Sequence, residues 1–398
     1  MTTLAERTLL VKPSVTLAIA AKAAKLRSEG VDVINFSAGE PDFDTPERIK
    51  AAAVEALKQG MTKYTDVRGI EPLRQAITEK YQCEYGLNYK ISEVLVSCGA
   101  KHSLYNVFQA VVNPGDEVLI PAPYWVSYAD MALLAGGMPK IIQTSESAGF
   151  RITAQQLADA LSWRTRVFVL NSPSNPTGAS YDKNELVAIA QVLEKNNCLI
   201  IADDIYEKIV YDNFKIQNLV ALAPSLREKI VIVNGVSKTY AMTGWRIGYA
   251  LGSAAIIGAA GKIQSQSTSN PTSIAQAAAL EAIRGPQEEV AMMVGEFQKR
   301  RNVIVECLNA IGGVQCLKPQ GAFYVFANIA TFIGKSANGK KLGSPCDIAD
   351  YLLEEAKVAA VPGEDFGSME HIRLSYATSL ENIEEGCRRM RDAFAKIN

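Results

Sequence analysis

Short apolar runs ending in small or polar residues, with helical patterns between several of them, recur through most of this chain. Strands are expected at 94–98, 117–121, 167–171, 199–203, 230–234 and 246–250, with helical stretches such as 124–135 and 184–195 between them. Parallel strands need a crossover between them, and a helix is the usual crossover, so this alternation predicts an α/β fold with a largely parallel sheet. The helix expected at 46–59 is well punctuated: Thr45 can cap it, Pro46 suits its first turn, Glu47 favours its positive end, and Gly60 ends it. After Pro286 the character changes. A long charged helix, about 288–311, leads into a mixed segment with strands near 322–327 and 371–375. The expected organisation is therefore an N-terminal segment, 1–45, packing with a small domain; a large domain, 46–295; and a smaller α+β domain, 296–398.

Composition narrows the function classes. The chain has 398 residues, 48% of them apolar and 21% charged, the balance of an ordinary globular enzyme with a substantial core. A net charge of -1 leaves no electrostatic footprint for nucleic acid or an anionic membrane. No apolar run approaches the roughly 18 residues of a membrane-spanning helix, and residues 1–10 lack the apolar core of a secretory signal. Seven cysteines are scattered singly, without a CxxC pair, which reads as free thiols in a reducing cytoplasm. With two histidines only, His102 and His371, a histidine-rich metal site is ruled out and no metal is expected.

Ligands in open α/β sheets sit beyond the carboxyl ends of the strands. At Ser97-Cys98-Gly99-Ala100-Lys101 a strand meets a helix through a small-residue turn, where free N–H groups can cradle a phosphate; the same pattern occurs at ordinary strand–helix turns. There is no GxGxxG fingerprint or Walker A loop to support a nucleotide. The segment from Asn171 to Gly178 leaves Asn175 free to point an amide at a ligand, though its prolines also suit a plain turn. Asp203 ends a buried apolar strand, where a carboxylate is costly without a partner. A cationic ring nitrogen suits it better than a metal, and Tyr206 follows. Lys238 lies among small and apolar residues just past a strand. Removed from water, its amine would lose proton affinity and become the nucleophile that Schiff-base chemistry needs. Arg246, eight residues on, could hold a phosphate in a bidentate pair.

In this order these segments resemble the class I aminotransferases of the fold-type I pyridoxal-phosphate enzymes. The segments from Phe36 to Pro46, Pro123 to Tyr128 and Ile372 to Ala377 resemble them too, and the likeness runs from about Val11 to the end of the chain. The resemblance implies a large domain with a mainly parallel sheet sandwiched by helices, and pyridoxal 5'-phosphate as cofactor. It also implies a homodimer with shared active sites, working on small amino and oxo acids. It makes Lys238 the covalent anchor and proton shuttle, and Asp203 the partner of the ring nitrogen. Asn175 and Tyr206 would bond the ring hydroxyl, with Trp125 stacked on the ring. Arg246, Ser237 and the backbone of Gly99 and Ala100 would bind the phosphate, with Tyr64 reaching across from a second subunit. Arg373 and the backbone of Gly39 would hold the substrate α-carboxylate, with Trp125 and Asn175 also lining the substrate's side. Two departures stand out: Gly235 replaces a serine common three residues before the lysine, and Asp204 replaces a common glutamate.

Within the family, the chain most resembles bacterial and plastid aspartate aminotransferases, some of which also transaminate prephenate to arogenate. Aspartate or glutamate as donor and 2-oxoglutarate or oxaloacetate as acceptor are then expected. In that subgroup lysines hold the distal carboxylate, and Lys101 and Lys12 stand at the matching positions. The bland alternative is that Lys101 serves the cofactor phosphate and Lys12 is a solvated terminal charge. Two rivals to the whole reading are another pyridoxal-phosphate chemistry on the same fold and a non-catalytic regulator. Such regulators usually carry an added DNA-binding domain; with the likeness starting at about Val11 and a near-neutral charge, a regulator is not expected.

Overall fold

Each strand of the main sheet sends alternate side chains into two separate apolar layers, as the two-residue period of a strand requires. In the computed structural model, which describes residues 4–11, 13 and 15–398, these strands are β1 (Val94–Ser97), β2 (Glu117–Pro121), β3 (Met138–Ile142), β4 (Thr165–Asn171), β5 (Leu199–Asp203), β6 (Ile230–Gly235) and β7 (Gly248–Leu251). Leu119, Phe168, Leu170, Ile200, Ile230 and Ile232 enter one core; Val118, Ile120, Val167, Val169, Ile201, Val231 and Val233 enter the other. Burial on both faces is why the strands other than β3 read as apolar runs in the sequence; β3, at the sheet edge and exposed or half-buried over its first four residues, was not expected from it.

The sheet has seven strands in the order β1-β7-β6-β5-β4-β2-β3. Strand β7 is antiparallel to β1 and β6, and the remaining pairs are parallel. Two reversals cancel, so β1 points the same way as β4, β5 and β6. The carboxyl ends of all four therefore lie on one edge of the sheet.

A second, antiparallel sheet holds β8 (Gln315–Cys316), β9 (Tyr324–Asn328), β10 (Val361–Pro362) and β11 (His371–Ser375), in the order β10-β11-β9-β8. The helices Glu288–Asn309 and Leu380–Phe394 cover it, burying Phe297, Ile304, Leu308, Ile383 and Met390 against Val325, Ile372 and Leu374. Inside this core Arg301 is fully buried and its guanidinium grips Asp212 with two bonds of 2.8 and 2.9 Å. A bidentate pair satisfies the charge that burial would otherwise strand. Near the N-terminus, Ile34–Asn35 pairs in parallel with Val358–Ala359, and Phe36 joins the core of the second sheet.

Sequence expectations for the element boundaries fall within a few residues of those observed. One local reading is corrected. The helix begins at Glu47 and ends at Lys58, with Pro46 at its N-cap and no side-chain cap. Thr45 does not cap it; its hydroxyl donates to the Ala241 carbonyl at 2.7 Å and accepts from Trp245 Nε1 at 3.0 Å. A tertiary contact thus takes the oxygen that local sequence assigned to the helix end. Among the described residues, no helix is long and apolar enough to cross a membrane.

Candidate active site

The common edge of β1, β4, β5 and β6 opens into a cleft of about 490 Å³ between the two sheets. Asn171 and Asn175 come from the end of β4, Asp203 and Tyr206 from β5, and Ser237 and Lys238 from β6. Ala100 and Lys101 start the helix after β1, Trp125 precedes the helix Ser127–Leu134, and Arg373 reaches in from β11. Gly39 lies where the N-terminal segment crosses the cleft.

The Lys238 amine donates to the Gly39 carbonyl at 2.6 Å. Burial draws its pKa down to about 8; Glu40 opposes this, while Arg246, Arg373 and Lys101 reinforce it by repulsion. Near neutrality a useful fraction of this amine is therefore unprotonated and nucleophilic. Burial pushes the Asp203 carboxyl up to about 6, against the downward pull of a 2.6 Å hydrogen bond from the Tyr128 hydroxyl. Among the described residues no lysine or arginine pairs directly with this carboxylate.

Arg373 is 2% exposed and its pKa is lowered by burial, yet among the described residues no carboxylate pairs with it. Its Nη1 donates to Asn175 Oδ1 at 3.1 Å and its Nη2 to the Ser37 carbonyl at 2.9 Å, while Nε has no partner. The guanidinium also stands over the Tyr324 ring, 4.5 Å from its centroid. A buried cation held only by neutral groups is arranged to receive an anion from the cleft.

The Arg246 side of the cleft is built by a close approach. Gly99 has φ 93°, and a Cβ there would come within 2.4 Å of Arg246 Nη2, so the turn admits the guanidinium only because it carries no side chain. Arg246 is held by bonds from Nη1 to the Thr243 carbonyl at 2.8 Å and from Nη2 to the Cys98 carbonyl at 3.3 Å. The departure at Gly235 also has a packing cause: a Cβ there would meet Gly248 Cα and the Ile247 carbonyl at 3.0 Å. Any larger side chain would press on β7.

Lys101 stands over the Trp125 ring at 4.8 Å, on the cleft wall, with its pKa lowered by burial and by Arg246. Tyr64 is 91% exposed and is not among the residues that line the cleft. Lys12 falls outside the described residues.

The chain matches the family described as aminotransferase class I and II over residues 31–390. It belongs to that family. It is 51% identical to the aspartate/prephenate aminotransferase of Cereibacter sphaeroides, covering 96% of each chain. It is 48% identical to a probable aspartate/prephenate aminotransferase of Rickettsia felis, over 98% of this chain and 95% of that one. The crystal structure of the aspartate aminotransferase from Rhizobium meliloti superposes with a TM-score of 0.96 at 45% identity, covering 100% of both chains. The Thermus thermophilus aspartate aminotransferase, solved with maleate, gives 0.92 at 41% identity over 99% of this chain and 100% of that one. The family gives a common frame for the cleft.

Within that frame, several cleft residues were not singled out from the sequence. Tyr128 sits in the quoted segment Pro123 to Tyr128 but carries no charge to draw notice, and only the fold brings it to Asp203. Tyr324 shares a 3.0 Å hydroxyl contact with Tyr206 and packs beneath Arg373. Glu40 accepts from the Thr243 hydroxyl at 2.6 Å, tying the N-terminal segment to the loop of Lys238 and Arg246. These partners are 118 and 203 residues apart in the chain, so local pattern gives no hint of them.

Proposed function

We propose that this aminotransferase uses pyridoxal 5'-phosphate and takes its amino group from aspartate or a similar dicarboxylic amino acid. The observation that carries this reading is a set of ionisable groups facing one cleft with no salt-bridge partner among the described residues: the buried Asp203 and Arg373 and the half-buried Lys238. The residues suit that cofactor. Arg246, Ser237 and the Gly99–Ala100 turn fit a phosphate, Asp203 a ring cation, Trp125 the ring face, and Asn175 and Tyr206 the ring hydroxyl. When bound, the cofactor supplies an electron-withdrawing ring and a carbonyl carbon that takes up the amine. Arg373 and the Gly39 backbone then hold the substrate α-carboxylate, and Asp203 keeps its charge against the ring nitrogen. With the cofactor bound, the Lys238 amine would act as general base, taking up the substrate α-proton at Nζ and holding it for return.

The acceptors follow from the same clamp: 2-oxoglutarate or oxaloacetate, and prephenate as in the relatives of that name. A rival pyridoxal-phosphate chemistry on this fold would show no oxo-acid-dependent amino transfer when the purified protein is assayed with aspartate and these acceptors.

Lys101 is the expected partner of the distal carboxylate, and Lys12 is proposed beside it on resemblance. Lys101 is only partly covered on the cleft wall and solvent reaches its charge, so the loss on Lys101→Ser should be modest, about fivefold in kcat/KM for aspartate and glutamate, or ~1 kcal/mol. Alanine should be affected less than about twofold. Equal losses for acidic and apolar donors would place Lys101 with the cofactor phosphate instead.

We also propose the division into an N-terminal segment, 1–45, a large domain, 46–295, and a small domain, 296–398, supported by the two sheets and their separate cores. A cytoplasmic homodimer with shared sites is part of the same reading. The exposed Tyr64 ring suits a contact with the other subunit's phosphate site. Mixing inactive Lys238→Ala with Tyr64→Phe should then restore part of the activity through hybrid dimers. A catalytically competent monomer in sedimentation would overturn it.

A further inference from the structure

A carboxylate has two oxygens, and the site's chemistry depends on how both are occupied. Asp203 Oδ2 accepts the Tyr128 hydroxyl at 2.6 Å, while Oδ1 receives only a long 3.3 Å bond from the Ile205 N–H. Among the described residues no other side chain donates to this carboxylate. Tyr128 is 2% exposed and packs with Val118, Ile120, Met131 and Val169 in the core beneath the sheet. Trp125 meets it edge-on, with ring centroids 5.3 Å apart and planes at 86°. The phenol is therefore fixed by its neighbours before any ligand arrives.

We propose that Tyr128 is a positioning residue for Asp203, whose hydroxyl keeps the carboxylate ionised and holds the proton shared with the cofactor on the ring nitrogen. This rests on the pyridoxal-phosphate reading above. A carboxylate in apolar surroundings tends to take up a proton, because burial penalises its charge. A short O–H···O⁻ bond is charge-assisted and stabilises the anion, making it a poorer base. The proton between Asp203 and a ring nitrogen then stays on nitrogen, where it draws electrons from the reacting carbon. Burial and the Asp203 charge raise the pKa of Tyr128 far above its ordinary value, so the phenol remains a donor throughout.

The test uses holoenzyme reconstituted with cofactor labelled with ¹⁵N at the ring nitrogen. The parent should show a protonated nitrogen, and Tyr128→Phe should move its resonance toward the unprotonated position. In the same variant kcat should fall about tenfold, with KM for aspartate changing less than about twofold. The acidic limb of the kcat profile should move to higher pH, because a carboxyl without its donor takes up a proton sooner on acidification. Adding Tyr128→Phe to Asp203→Asn should cost no further activity, since the phenol acts through the carboxylate. If Tyr128→Phe alone folds poorly because Asp203 is stranded, the double variant should recover the melting temperature.

An unchanged ¹⁵N resonance and acidic limb, or losses that multiply, would overturn the assignment. So would a double variant that folds no better than an unstable Tyr128→Phe, because the phenol would then be core packing alone. A parent that binds no cofactor, or binds it with an unprotonated ring, sinks the pyridoxal-phosphate reading, and this inference with it, by a signature no Tyr128 variant can produce.

Discussion

Lys238→Ala should abolish turnover, lowering it by at least ~10⁴-fold, the scale of losing both a nucleophile and a positioned base in one side chain. The amine is the one primary amine held against the Gly39 carbonyl on the cleft floor, at 2.6 Å. Burial and three neighbouring cations bring its pKa to about 8, so the neutral, reactive fraction grows as pH rises through that value. Alanine removes the amine while leaving Asp203, Arg246 and the Gly99 turn in place, so the cofactor should still bind noncovalently. Borohydride treatment followed by mass measurement distinguishes the two proteins: the parent keeps the cofactor, the variant releases it. Near wild-type transamination by the variant would remove Lys238 from the mechanism.

Asp203→Asn keeps the shape of the side chain and removes its charge. On the proposed pyridoxal-phosphate reading the ring nitrogen would then lose the anion that keeps it protonated, and kcat should fall by about 10²–10³-fold, or ~3–4 kcal/mol, as when a preorganised charge is removed from an active site. The melting temperature should hold or rise, because the substitution also removes a buried charge whose pKa is pushed up to about 6. The sign of the pH dependence follows. Asp203 carries its charge above about pH 6 in the protein alone and loses it on acidification through that range. The parent should therefore lose activity on the acid side, and the Asn variant should lack that limb. A fall of less than about tenfold, ~1.4 kcal/mol, would rule out an electron-sink role.

How much of this was legible beforehand depends on how far apart the interacting residues lie in the chain. Strands β1, β4, β5 and β6 are buried on both faces, so each appears as an apolar run that leads to a turn or polar residue at the cleft, whereas β3, at the sheet edge and largely uncovered, gave no such run. Asn175, Asp203 and Lys238 could be read for that reason: chemistry at a strand's carboxyl end is a local pattern. Arg373 was visible only through resemblance, because nothing in His371–Ser375 says that its guanidinium will be buried beside Asn175 and above Tyr324. The sequence by itself determined the period of each element, the punctuation at its ends and the residues offered at the sheet edge, since these depend on neighbours a few positions away. Only the tertiary structure decided that Thr45 would serve Ala241 and Trp245 instead of a helix end, that Gly235 would lie tightly against Gly248, and that an uncharged phenol at position 128 would meet Asp203. Those choices depend on which distant backbone or side chain fills the space next to a residue, and that is set when the layers pack.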